Sequence, residues 1–184
     1  PRFQCGRFPY PNGIRGNSES KDNAERINPN VVTFPRLLRD AGYRTAIIGK
    51  FHLNDNPGDL GFEEWKILPG QGVYFDCEFI ENAGRTASKG YVTDVITDKA
   101  LAWLERRDRS RPFCLVYQHK GPHRPFTPAP RHVHLYDDVE FPYPETFDDD
   151  YATRRIAGLA ADMRFDVSLA GDYPDLPKGL GGAE

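Results

Sequence analysis

Along this 184-residue chain the apolar positions form one pattern twice: a helical spacing, a tight turn, then a short apolar run. The first copy predicts a helix from Phe34 to Ala41, with Thr33 as its cap and Pro35 in its first turn. Leu37 and Leu38 give its apolar face, and Gly42 follows its end. Tyr43 to Ile48 then reads as a short buried strand closed by Gly49. The second copy predicts a longer helix from Val92 to Arg106. Val92, Val95, Ile96, Ala100, Trp103 and Leu104 recur on one side of it, and Asp94 and Asp98 lie towards its positive end. Pro112 blocks continuation, and Phe113 to Tyr117 is apolar almost throughout, as a strand buried on both faces would be. Helix, turn, strand, polar loop, repeated, is the rhythm of an α/β fold with a mixed, mainly parallel sheet flanked by helices.

The remaining chain predicts little regular structure. The first thirty residues read mostly as loop, with turns at Pro11-Asn12-Gly13 and Asn28-Pro29-Asn30, and the stretch between the strand at 43–48 and the helix at 92 reads as irregular, with turns at Asn56-Pro57-Gly58 and Pro69-Gly70. After Pro122 the chain is rich in proline and acid, with a weaker helix expected over Asp150–Met163. Residues 171–184 read as a Gly/Pro-rich flexible tail behind a domain of residues 1–170. Gly 17 and Pro 16 fit this loop content.

Composition narrows the classes. Hydrophobic residues at 39% are enough for a core. A net charge of -3 argues against a nucleic-acid partner held by a bulk basic field. No apolar run reaches the ~18 residues of a membrane span. Cys5, Cys77 and Cys114 are an odd set with no CxxC; Cys114 reads as a small buried hydrophobe, and a Cys5–Cys77 disulfide has no support in the sequence. The single methionine is Met163 and the chain opens at Pro1, so it reads as an internal fragment or a processed chain.

Each predicted strand runs directly into a basic loop that carries histidine. The first is Gly49-Lys50-Phe51-His52-Leu53, the second His119-Lys120-Gly121-Pro122-His123-Arg124-Pro125. In open α/β sheets, ligands bind beyond the carboxyl ends of the strands. With the two strands adjacent, Lys50, His52, Lys120 and His123 converge on one crevice. Ammonium and imidazole groups together there could hold a sulfate or phosphate, stabilise charge developing on it and protonate a leaving oxygen. Taken singly, either loop is an ordinary solvated strand end. The repetition brings the chemical reading level with the ordinary one, and spacing alone goes no further.

Other candidates are weaker. His132 and His134 would share one side of a strand and could suit a metal, but no nearby His or Cys completes the set. Asp137-Asp138 and Asp148-Asp149-Asp150 read as solvated charge and a helix start. Gly70-Gln71-Gly72 is too short for a phosphate loop, and Arg106-Arg107-Asp108-Arg109 reads as a cationic helix end.

The two basic loops resemble those of type I, formylglycine-dependent sulfatases: a GKWHL-like loop, with Phe51 at the Trp position, and an H-K-x-P-H-x-P-like loop over His119–Pro125. Gly6–Asn17 is similar to the family's T-G-R-x-P-x-x-x-G-x-x-x-N stretch, and Thr33–Lys50 to its T-x-x-x-L-L-x-x-A-G-Y-x-T-x-x-x-G-K segment. Leu68–Gly72, Gly90–Asp94 and Pro144–Phe147 look closest to bacterial mucin-desulfating and N-acetylglucosamine-6-sulfatase relatives. The resemblance extends to about Met163.

It implies a partial catalytic domain of alkaline-phosphatase-like fold. The parent protein is then a sulfuric ester hydrolase acting on a carbohydrate such as 6-sulfated N-acetylglucosamine. By motif position Lys50 would contact the formylglycine and the sulfate, and His52 would orient or deprotonate the formylglycine diol. His123 would contact sulfate and help protonate the leaving alcohol, with Lys120 and His119 as neighbouring substrate contacts. Calcium is expected in the full-length parent, with no metal ligand in this chain, and a periplasmic or secreted location follows by family analogy. The chain holds no C/S-x-P-S-R nucleophile motif: Cys5 stands where the family has the Thr of its T-G-R stretch. The paired aspartates and the D-x-G or D-N-G calcium ligands are missing too. The 184 residues alone are therefore expected not to turn over a sulfated aryl ester. Two other readings stay open: a phosphate-ester or phosphonate hydrolase of the same superfamily, and a non-catalytic sulfate- or glycan-binding protein.

Overall fold

The structure, a computed structural model, describes residues 2–16, 25–149 and 153. It divides into two compact units, Pro1–Pro122 and His123–Glu184. The first unit is built on a five-stranded sheet. Its strands are β1 (Arg44–Lys50), β2 (Glu64–Leu68), β3 (Glu78–Glu81), β4 (Gly84–Ala87) and β5 (Phe113–Gln118). Their spatial order is β4-β3-β2-β1-β5. β1 is parallel to both β2 and β5, whereas β2–β3 and β3–β4 are antiparallel. The sheet is mixed, and its longer ladders are the parallel ones.

Alternation along the strands sorts the core into two layers. Ala46 and Ile48 of β1, Leu68, Phe79 and Cys77 pack beneath the helix α4, Val92–Arg106, against Val92, Ile96, Ala100 and Trp103. Ile47, Ile67 and Val116 point to the opposite face, where they meet Phe51, Leu60, Phe62, Ile14 and Ile27. The helix α3 (Phe34–Asp40) contributes Phe34 to that second layer. Cys77 belongs to one layer and Cys5 to the other, so the sheet separates the two thiols.

Several sequence expectations change. Within the first thirty residues, expected mostly as loop, Arg2–Cys5 and Pro9–Asn12 each form one helical turn, α1 and α2. The second is tied by fully buried Asn12, whose side chain accepts from Ile14 N at 2.9 Å and donates to Arg7 O at 3.1 Å. Thr33 stands at the cap position of α3, but its hydroxyl donates to Leu60 O at 2.6 Å rather than serving the helix. Gly49 does not close β1; the strand runs through it to Lys50. At φ +112° and with a Cβ position only 1.7 Å from Gln118 O, residue 49 has room only for glycine. The stretch expected as loop holds β2, β3 and β4. β5 is not buried on both faces: it is the outermost strand of the order, and Phe113 and Tyr117 are each 41% exposed.

In the second unit, Pro130–His132 forms a single 3-10 turn, so the His132/His134 pair does not lie on a strand. His134 Nδ1 instead meets Asp137 Oδ2 at 2.7 Å on the surface. The helix expected over Asp150–Met163 and the tail at 171–184 lie outside the described residues, apart from Thr153.

Candidate anion site at the ends of two parallel strands

β1 and β5 are neighbours and run the same way, with Gly49 opposite Gln118. Lys50 and the His119-Lys120 pair therefore leave the sheet at the same end. The backbone turns sharply at His52, at φ +48°. Lys50 and His52 both reach the side chain of Gln71. Lys50 Nζ donates to Gln71 Oε1 at 2.5 Å, and His52 Nε2 lies 3.0 Å from Gln71 Nε2. From the other strand, Lys120 Nζ donates to the backbone oxygen of the same Gln71 at 3.1 Å. Three of the expected residues thus meet on one glutamine.

Lys120 is only 4% exposed, and its ammonium sits 4.8 Å from the centre of the Tyr74 ring. Burial pushes its pKa down from the ordinary lysine value. Its hydrogen bond holds the turn that carries Gln71. His119 stacks edge-on against Tyr117 at 4.4 Å, and burial lowers its pKa, which favours the neutral ring. Its Nδ1 is buried without a hydrogen-bond partner among the described residues. His123 opens the second unit; its Nδ1 donates to the Arg124 carbonyl at 3.0 Å, which puts a ring proton on that nitrogen.

Sequence reasoning missed Gln71 and Tyr74. The signal for Gln71 was the pair of glycines around it. Gly70 and Gly72 have φ of +54° and +66°, and a Cβ at Gly72 would fall 2.8 Å from Leu68. A turn that demands glycine on both sides of one long polar residue presents that residue. Nothing local said what it would meet, because Lys50, His52 and Lys120 come from other strand ends.

The chemistry of this end suits an anion. An amide accepts from Lys50 without cancelling its charge, and imidazole and ammonium groups can donate to several oxygens. A divalent cation is a different matter. Among the described residues no three His, Cys, Asp or Glu side chains come together as ligands, so these residues do not fit a calcium site. No helix among them is long and apolar enough to cross a membrane.

Comparison with known proteins bears on the same residues. A family model described as Sulfatase matches residues 1–161. An N-acetylglucosamine-6-O-sulfatase of Bacteroides thetaiotaomicron is 44% identical over 171 residues, covering 91% of this chain and 29% of the relative. The human N-acetylglucosamine-6-sulfatase is 28% identical over 161 residues, covering 77% of this chain and 29% of the relative. A solved structure described as a complex with its substrate, D-glucosamine-2-N,6-O-disulfate, superimposes with a TM-score of 0.78 at 37% identity, over 97% of this chain and 40% of that one. The chain therefore spans under a third of the length of these curated relatives. The mixed sheet between two apolar layers, the paired basic strand ends and a family match over most of the length agree: the chain belongs to the sulfatase family.

Proposed function

We propose that this chain is the part of a carbohydrate sulfatase that surrounds the sulfate with cationic and imidazole groups, and that the whole protein removes a 6-sulfate from an N-acetylglucosamine unit. The observation that carries this reading is the parallel pairing of β1 with β5, which brings Lys50, His52 and Lys120 to one Gln71. The 6-sulfatase named among the relatives supports the choice of sugar.

Lys50 is the charge that offsets the negative charge growing on the sulfate oxygens as the ester bond breaks. His52 handles the proton of the attacking diol, and His123 protonates the leaving sugar oxygen, each role assigned by motif position. Lys120 holds the turn behind the site. His119 lines it as a neutral ring. In the full-length protein a calcium ion would neutralise sulfate charge, held by residues beyond those described, and the protein would work in the periplasm or outside the cell.

The test is an assay of the full-length protein on 6-sulfated N-acetylglucosamine and on the matching 6-phosphate. Sulfate release with little phosphate release is expected. Preferential phosphate release would move the protein to the phosphoesterase branch, and tight sulfated-sugar binding with no release would make it a binding protein.

A further inference from the structure

We propose that Gln71 is a positioning residue that decides which nitrogen of His52 carries the proton. The inference rests on the role of His52 given above. Lys50 Nζ lies 2.5 Å from Gln71 Oε1, and an ammonium can only donate, so the oxygen of the amide must face it. That choice turns the NH2 end of the amide to His52 Nε2, 3.0 Å away. An amide NH2 can only donate, so Nε2 must accept. The neutral ring then carries its proton on Nδ1. Flipping the amide would set NH2 against the ammonium and forfeit the Lys50 bond. The charge of Lys50 thereby fixes the tautomer of His52 through one neutral side chain.

The backbone is held for this task. Lys120 Nζ donates to Gln71 O at 3.1 Å from a buried seat over Tyr74, and the flanking glycines supply the left-handed turn. A ring with its lone pair at Nε2 is ready to take a proton there. When a hydroxyl displaces the amide, its O–H bond breaks, an N–H bond forms at Nε2 and the ring becomes imidazolium. A ring resting as the Nε2–H tautomer would first have to lose that proton.

The test uses the full-length protein with 15N-labelled histidine, at about pH 8, above the ordinary imidazole titration. Long-range 1H–15N spectra report the tautomer, and the His52 signals are assigned by their loss in His52→Asn. The wild type is expected to show Nδ1–H. In Gln71→Glu the carboxylate only accepts, so Nε2 gains a proton and kcat falls about 10- to 100-fold, while the new negative charge against Lys50 also raises KM. Gln71→Leu, which neither donates nor accepts at that point, should give a mixture of tautomers. A wild-type ring in the Nε2–H form overturns the proposal, and so does a folded Gln71→Glu protein with an unchanged tautomer. Should either variant fail to fold, the wild-type spectrum alone decides. The spectrum does not depend on sulfate release. An Nδ1–H ring in a protein without sulfatase activity would sink the function and leave this inference standing; an Nε2–H ring in an active sulfatase would do the reverse.

Discussion

On the face of the sheet beneath α4, Lys66 and Lys99 both donate to the carboxylate of Glu81. At the shared end of β1 and β5, Lys50 and Lys120 both donate to Gln71. Each region gathers two lysines on one residue, and the side chain of that residue decides what the region can do. Glu81 cancels charge and ties β2 and α4 to β3. Burial alone would raise its pKa, but hydrogen bonds from Lys66, Lys99 and Thr86 outweigh that and hold it at about 2. Gln71 is neutral. It fixes the geometry of Lys50 and leaves that charge in place for an anion from outside, while buried Lys120 braces its backbone. The same residue type serves architecture in one region and chemistry in the other, and only the partner tells them apart.

Replacing the charge at the functional end should have the largest effect. Lys50→Ala in the full-length protein is expected to lower kcat/KM on 6-sulfated N-acetylglucosamine by about 10²–10³-fold, about 3–4 kcal/mol of transition-state stabilisation. Denaturant unfolding should move little, since Lys50 ends its strand. A variant that keeps its rate would erase the distinction drawn between the two clusters.

Next comes Gly49→Ala, which attacks the alignment of the two strands. The added methyl would meet Gln118 O at 1.7 Å, at a φ of +112° that alanine rarely adopts. A stability loss of about 3 kcal/mol or more is expected by urea unfolding, with activity falling alongside. Unchanged stability would mean that the two strands are not so closely apposed.

Glu81→Gln tests the architectural cluster. It should cost about 2 kcal/mol by leaving two half-buried ammonium groups without their counter-charge, with kcat/KM changed by less than about threefold. The acid dependence follows from a folded-state value of about 2 against an ordinary 4.5. The Glu81 contribution is complete above about pH 4.5 and is lost as pH falls towards 2, so wild type and variant should converge in acid unfolding. A large activity loss with intact stability would show that this cluster is not merely architectural. The smallest effect is expected from His119→Phe. A neutral ring packed on Tyr117 exchanges for another ring, and kcat/KM should fall by less than about tenfold. A greater loss would show that His119 acts on the substrate as a polar group.

How much of this was legible beforehand depends on the range of each interaction. α4 begins and ends where its apolar period and charges place it, Val92 to Arg106, because a buried helical face writes itself into every third or fourth residue. β1 and β5 were legible from their continuous apolar runs. β2 was not: Glu64 and Lys66 face the α4 side as ion-pair partners of Arg106 and Glu81, which hides the alternation. β4 is exposed at all four positions and exists only through its pairing with β3.

The sequence by itself determined the α/β rhythm, the two basic strand ends and the family, since each rests on residues close together in the chain. Only the tertiary structure decided that those ends are adjacent, that Lys120 is a buried strut and that Gln71 joins the set. Those facts depend on which strand pairs with which. Side chains 19 to 49 positions away met on one residue, Gln71, because two parallel ladders stop at the same end. No local pattern encodes that end; it follows from closing the sheet over two apolar layers.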